Sequence, residues 1–152
     1  MPPDHAEGEL FTIGFTKRSA AQFFGALQSV NIGLVVDIHL NNTSQLAGFT
    51  KRADLAYFLD RICGIPYRHE PTFAPTSELL VAMRGGELPW DEFAGAFRNL
   101  LDERRAAGHL ERTVLSERPV LLCAEYDAGE CHRSIVAEYL SGQWGGCNVV
   151  HL

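Results

Sequence analysis

The amino-acid sequence predicts a single α/β domain of three layers, with a mainly parallel five-stranded sheet in a Rossmann-like, doubly wound arrangement. Two observations predict this class. Short apolar runs of strand length alternate along the chain with longer amphipathic stretches of helical periodicity. Capping residues and glycines mark the boundaries between them. A chain of 152 residues is long enough for one domain with a hydrophobic core. We expect this α/β domain over residues 10–152, preceded by a flexible tail over residues 1–9.

The amino-terminal half contains two predicted helices. Ser19 and Gln22 form a capping-box pattern for a helix that runs to about Val30. Thr50 suits the N-cap of a second helix, which Gly64 would end. The side chains of this second helix that we expect to point inward are Leu55, Phe58, Leu59 and Ile62. The strands predicted in this half are residues 10–13, 33–38 and 66–69.

The carboxyl-terminal half predicts three helices and two strands. Thr76 begins a helix that ends at Arg84, before two glycines. Pro89 suits the first turn of the next helix, which ends near Gly108. The apolar face of that helix consists of Trp90, Phe93, Phe97 and Leu101. A strand at residues 119–123, a helix at 131–140 and a strand at 148–152 complete the chain.

Composition limits the possible partners. The net charge of −6 argues against broad binding to nucleic acid or acidic membranes, although it leaves a local basic pocket possible. The first ten residues do not resemble a signal peptide, and no apolar run reaches membrane-spanning length. We therefore expect a cytoplasmic protein with no membrane partner and with its four cysteines reduced. The sequence predicts neither a cofactor nor an oligomeric state.

The strand–loop–helix unit over residues 120–140 is the most informative segment. It places Cys131, His132, Arg133 and Ser134 at the start of a helix. Free N–H groups at a helix start carry partial positive charge, and Arg133 adds a forked donor, so we predict that residues 132–134 bind an anion. Cys131 is a candidate nucleophile, although a structural or capping role is the more frequent one. Because Cys123 and Cys131 lack a zinc-type spacing, we predict no metal site.

Polar residues follow the other predicted strands, and carboxyl ends of parallel strands meet at one edge, where ligands bind. Asp37 and Glu125 are candidates for general acid or base, or for anchors of loop amides. A buried ion pair with either one is the alternative role for Arg133. The remaining candidate ligand-binding residues are Lys17, Arg18, His39, Asn41 and Asn42.

The chain resembles the domain of unknown function 488 family. The segments that carry the resemblance are TIGFTKRS (12–19), VVDIHLNNTSQLAGFTKRADLAYFL (35–59), GIPYRHEPTFAPT (64–76), LLCAEYDAGECHRSIVAEYL (121–140) and the terminal VVHL. The resemblance implies the fold and the location of the site, and it implies no established reaction. Phe15 stands where the family often has His or Tyr, and His39 stands in a region where it often has Arg.

Two functions of different classes fit these residues. The first is a small enzyme that binds a phosphate-bearing or nucleotide-like anion at the carboxyl edge of the sheet and acts on it. The crowding of titratable groups at one edge favours it. The second is a non-catalytic module that senses a small anion or a nucleic-acid end, which the lack of a complete catalytic motif favours.

Overall fold

The computed structural model of the protein describes residues 8–40, 52–123 and 132–152. Within them, one sheet of five parallel strands has the order β3-β2-β4-β1-β5. The strands are β1 Glu9–Gly14, β2 Leu34–Asp37, β3 Tyr67–His69, β4 Pro119–Cys123 and β5 Asn148–His151. The predicted α/β class is confirmed, and every strand pair in this sheet is parallel.

Helices cover both faces of the sheet. They are α1 Ala20–Ser29, α2 Arg52–Phe58, α3 Ser77–Arg84, α4 Trp90–Arg104 and α5 His132–Gln143, with a π-helical turn Leu59–Cys63 and 3-10 turns Pro71–Phe73, Ala106–His109 and Arg112–Glu117. Side chains of α1 and α2 form one core with Val35 and Leu122. Side chains of α4 and α5 form the other core with Val36 and Leu121. No helix in the described ranges is long and apolar enough to cross a membrane.

Strand β4 lies in the middle of the sheet, between β2 and β1. All five of its residues are buried, which explains why the strand is a nearly continuous apolar run rather than an alternating one. The register pairs Asp37 of β2 with Leu122, and Gly14 of β1 with Cys123. Three of the predicted strands, residues 10–13, 33–38 and 119–123, therefore form adjacent parallel strands at the centre of the sheet.

Most predicted helix boundaries agree with the structure. Ser19 and Gln22 form the expected capping box, in which each side chain binds the other's backbone N–H. Gly64 ends the second helical segment in the left-handed region, with a φ of 66°. The predicted end of α4 near Gly108 is wrong, because Arg105 takes a left-handed φ of 51° and a 3-10 turn follows. Residue 50, the predicted second N-cap, and residues 1–7 of the predicted tail lie outside the described residues.

One predicted core residue of the second helical segment is exposed. Leu55 and Leu59 are buried as expected, but Ile62 is 47% exposed. The chain changes to π-helical geometry at Leu59, which widens the turn and shifts the residues that follow around the helix axis. The α-helical spacing of 3.6 residues per turn, which predicted that Ile62 points inward, does not apply beyond that residue.

Gly33, just before β2, tests how closely the backbone packs against the segment before β4. The N–H of Gly33 donates to the carbonyl of Arg118 at 3.0 Å, and a Cβ at Gly33 would collide with the backbone carbonyl oxygen of Glu117. Gly33→Ala should therefore lower the free energy of unfolding by about 1–3 kcal/mol, as overpacking does. Urea denaturation measures this change.

The matched control is Gly25→Ala at an exposed position of α1, where an added Cβ meets no atom within 4 Å. It should raise the free energy of unfolding by about 0.5–1 kcal/mol, because alanine is the better helix former. Equal effects of Gly33→Ala and Gly25→Ala would contradict the close approach of the two backbones.

Candidate functional site

The carboxyl ends of four strands are hydrogen-bonded to one another at one edge of the sheet. The N–H of Phe15, just after β1, donates to the carbonyl of Cys123 at the end of β4. The N–H of Ile38, just after β2, donates to the carbonyl of Leu122. The N–H of Glu70, just after β3, donates to the carbonyl of Asp37. This edge, which we call the carboxyl edge, holds most of the described candidate residues.

Asp37 and His39 form a hydrogen-bonded pair at the carboxyl edge. The Nδ1 atom of His39 lies 2.6 Å from Oδ1 of Asp37, and the backbone N–H of His39 donates to the same oxygen at 3.0 Å. The hydroxyl of Tyr67 donates to the other carboxylate oxygen at 2.5 Å. With side-chain exposures of 2% for Asp37 and 14% for His39, the pair is nearly shielded from solvent.

Burial alone would raise the pKa of Asp37, because it penalises the charged form. The hydrogen bonds from His39 and Tyr67, together with the favourable charge interaction with His39, outweigh burial and hold this pKa below its ordinary value. Asp37 is therefore a carboxylate near neutral pH and acts only as an acceptor. It orients His39 and is a poor candidate for a proton donor itself.

An ionised carboxylate fixes the protonation of the neutral imidazole. Because Asp37 only accepts, Nδ1 of His39 carries a proton, and in the neutral form of the ring Nε2 carries the lone pair. The Nε2 atom is buried and has no hydrogen-bond partner within the described part of the chain. The ring of Phe15 packs against the imidazole with a centroid separation of 5.1 Å. A buried polar atom without a partner is rare, because it costs the fold the free energy of a missing hydrogen bond.

Two other imidazoles at this edge have their donors committed to the backbone. His69 lies with Nε2 at 2.8 Å from the carbonyl oxygen of His39, and His132 has Nε2 at 3.0 Å from that of Ile38. A carbonyl only accepts, so both Nε2 atoms carry protons. The Nδ1 atom of His132 lies 3.4 Å from Sγ of Cys123. His132, predicted to bind ligand, thus uses both ring nitrogens inside the protein.

Arg133 is fully buried at the start of α5. Its Nε donates to Oγ1 of Thr12 at 3.2 Å, and that oxygen lies 2.5 Å from Nδ1 of His151. Burial lowers the pKa of His151, and the Arg133 charge lowers it further, while Glu138 acts in the opposite direction. The Arg133 charge is therefore felt at the exposed imidazole of β5.

The remaining basic candidates follow β1. Lys17 is exposed and takes a left-handed φ of 63°. Arg18 donates from a terminal guanidinium nitrogen to the carbonyl of Leu152 at 2.9 Å, which joins the turn after β1 to the end of β5. Ser134 is half-buried in the first turn of α5. The candidates Asn41, Asn42, Glu125 and Cys131 lie outside the described residues.

The structure brings some predicted site residues together and separates others. Asp37 contacts His39 directly, on the side of the sheet that faces α1 and α2. Arg133 contacts Thr12 on the opposite face, because Thr12 alternates with Phe11 and Ile13, which face α1. Asp37 and Arg133, which we predicted at one edge of the sheet, therefore lie on opposite faces of it.

Tyr67 was missed as a site residue. Its hydroxyl holds Asp37, yet the local sequence shows only an aromatic residue at the start of a short strand, which is common in strands without any functional role. The available signal was the two-residue period of a strand, which puts Tyr67 on the same face as His69. Using that signal requires knowing that β3 pairs with β2, with Asp37 opposite His69.

The geometry defines an α/β protein with an imidazole–carboxylate pair at the carboxyl edge of a parallel sheet. The chain belongs to the family described as Domain of unknown function DUF488, whose sequence profile matches residues 19–140. No curated protein and no solved structure matches the chain with significant similarity. The described residues contain no group of three or more His, Cys, Asp or Glu side chains that could hold a metal ion.

The buried Asp37 carboxylate should make the free energy of unfolding depend on pH in the acid range. A carboxyl group with a lowered pKa stabilises the fold above its ordinary value of 3.8, and this contribution is lost as the pH falls further. Asp37→Asn should therefore cost roughly 1.5–3 kcal/mol at pH 7, and its difference from the wild type should shrink below that ordinary value. Urea denaturation at a series of pH values measures both effects.

Tyr67→Phe provides the graded comparison, because it keeps the carboxylate and removes one donor. Its cost at pH 7 should be smaller, about 1 kcal/mol. A difference between Asp37→Asn and wild type that stays constant down to the lowest pH would show that the charge of Asp37 contributes nothing.

Proposed function

We propose that the protein binds a small phosphate-bearing or nucleotide-like anion at the carboxyl edge, and that it is an enzyme acting on this ligand through His39. The observation that carries the proposal is the Nε2 atom of His39. This atom is buried, bears the lone pair and is free of hydrogen bonds in the described structure, while Asp37 fixes the rest of the ring.

Such an imidazole is suited to chemistry rather than to stability. A buried acceptor left without a partner costs the fold free energy, so it is retained where a ligand completes its hydrogen bonding. The carboxylate behind Nδ1 sets the tautomer and direction of the ring, as an orienting group does for a catalytic histidine. Asp37, a predicted general acid or base, orients the ring of His39 in this proposal.

Positive potential at the same edge supports an anionic ligand. The start of α5 lies there, since His132 at its first position reaches the carbonyl of Ile38. A helix start attracts anions. The buried charge of Arg133 adds to this potential from inside, and exposed Lys17 adds to it from the surface. Arg133 thus supports an anion electrostatically in this proposal, and its direct contact with the ligand remains a prediction.

A non-catalytic binding module is the second candidate. The observation that favours it is the commitment of neighbouring groups to structural bonds: Asp37 accepts three hydrogen bonds, and His69 and His132 each donate to a backbone carbonyl. A site with one available imidazole can recognise an anion without transforming it. Nucleic-acid ends are a ligand of this alternative, which the net charge of −6 does not favour.

Ligand binding can be tested with a thermal-shift screen of inorganic phosphate, nucleotides and sugar phosphates, followed by calorimetric titration. His39→Gln should weaken the binding of the best ligand about tenfold, because the hydrogen bond that Nε2 accepts from a hydroxyl of the ligand is lost. His109→Gln, at an exposed histidine in a 3-10 turn, is the matched control and should bind like the wild type.

Equal affinity of wild type, His39→Gln and His109→Gln, with all three folded, would place the anion site away from His39. A ligand that binds through His39 and is recovered unchanged after prolonged incubation with wild-type protein would favour the binding module over the enzyme. Chromatography of the recovered ligand decides between these two functions.

A further inference from the structure

We propose that Nε2 of His39 is a nucleophile that accepts a phosphoryl group, so that the protein passes through a covalent phosphohistidine. This inference rests on the proposed function, which it deepens by assigning a step and a ligand class: molecules with a terminal, transferable phosphoryl group. It starts from the buried and uncommitted Nε2 atom and from the carboxylate bound to the other nitrogen of the same ring.

His39 differs in this respect from the neighbouring histidines. His69 and His132 use their Nε2 atoms as donors to backbone carbonyls. His151 has Nδ1 hydrogen-bonded to the hydroxyl of Thr12, not to a carboxylate. Among the histidines that the structure describes, His39 combines a carboxylate-bound Nδ1 with a buried Nε2 that no hydrogen bond occupies.

The regiochemistry of attack follows from the hydrogen bonds. Nδ1 of His39 is occupied by its proton and by Oδ1 of Asp37 at 2.6 Å, so the lone pair that can attack is on Nε2. The ring is held from two sides, by the carboxylate at one edge and by the Phe15 ring at a centroid separation of 5.1 Å. An imidazole held in this way loses little freedom on reaching the attack geometry.

Charge balance favours a covalent intermediate on this ring. When Nε2 bonds to phosphorus and Nδ1 keeps its proton, the imidazole becomes positively charged. Asp37 already provides a negative charge against Nδ1, and the hydroxyl of Tyr67 and the backbone N–H of His39 hold that carboxylate in place. The compensating charge is therefore present before the reaction, which is the condition for electrostatic stabilisation without reorganisation.

The reaction proceeds in two steps. The Nε2 lone pair forms a bond to phosphorus, and the bond from phosphorus to the leaving oxygen breaks with its electron pair. The leaving oxygen takes a proton from solvent. In the second step a water oxygen attacks phosphorus, the bond from phosphorus to Nε2 breaks, and the electron pair returns to Nε2. Inorganic phosphate leaves, the proton released by the attacking water returns to solvent, and the neutral ring is restored.

Phosphoramidate provides a test that requires no knowledge of the ligand. In the reaction of this probe, Nε2 bonds to phosphorus and ammonia departs with the electron pair of the broken bond. Intact wild-type protein is incubated with phosphoramidate and analysed at neutral pH by mass spectrometry with peptide mapping. We expect one added phosphoryl group, labile to acid, to form on His39 before any of the other five histidines.

This comparison within one folded protein remains decisive even if variants fold poorly. Earlier labelling of an exposed histidine such as His109, or no labelling of His39, would overturn the proposal. His39→Gln should abolish the rapid label, and His109→Gln should leave it unchanged.

Asp37→Asn tests the role of the carboxylate. Labelling of His39 should slow roughly tenfold to a hundredfold, the range that corresponds to losing one hydrogen bond to a charged group. Tyr67→Phe is the graded comparison, since it keeps the carboxylate on Nδ1 and removes one hydrogen bond that holds it, and it should slow labelling less than Asp37→Asn does. A folded Asp37→Asn that labels as fast as wild type would also overturn the proposal.

Failure of this inference can be separated from failure of the proposed function. If an anion binds through His39 but phosphoramidate does not label that residue, the covalent step is wrong and anion binding stands. If phosphoramidate labels His39 in the expected order but no phosphate-bearing ligand binds in the calorimetric titration, the nucleophile is supported and the proposed binding function fails.

Discussion

The parallel pairing of β4 between β1 and β2 is the constraint on which the rest of the structure depends. Because this strand is fully buried, its backbone N–H and C=O groups need a neighbouring strand on each side. Its apolar side chains need helices on both faces of the sheet. Arg118, just before it, fixes the start of the pairing: its guanidinium donates to the carbonyls of Val30 and Asn31. This contact joins the end of α1 to the start of β4, and it aligns β2 so that the strand ends meet at one edge.

The same sheet divides the polar groups of the carboxyl edge between its two faces. Alternation along β2 turns Asp37 toward α1 and α2, where it meets His39 and Tyr67. Alternation along β1 turns Thr12 toward α5, where it meets Arg133. Residues that look like one site in the sequence are therefore two hydrogen-bonded networks, separated by a single layer of backbone. The buried guanidinium can influence the edge through its charge without sharing a contact with the carboxylate.

Backbone carbonyls beyond β2 determine the chemistry of the imidazoles. Those of Ile38 and His39 accept hydrogen bonds from the Nε2–H groups of His132 and His69, and this leaves those Nε2 atoms unable to act as bases. Among the described histidines, only His39 has a carboxylate in place of a carbonyl, which directs the lone pair of the neutral ring to a nitrogen that the described chain leaves unbound. Similar side chains at one edge thus have different roles, since hydrogen-bond partners, rather than residue type, decide which nitrogen carries the proton.

The sequence alone determined the elements and their order, because local signals specify them: the buried apolar run at β4, the Ser19–Gln22 capping box, and the glycine that ends the helix at Gly64. It also determined that polar residues meet at the carboxyl edge, since parallel strands require it. Tertiary structure decided the rest. The position of Ile62 depended on a π-helical turn, and the partner of Asp37 depended on the register of β3. Which imidazole nitrogen is available depended on carbonyls and carboxylates far away in the sequence. Such contacts depend on distance and direction between elements, which no local pattern of residues encodes.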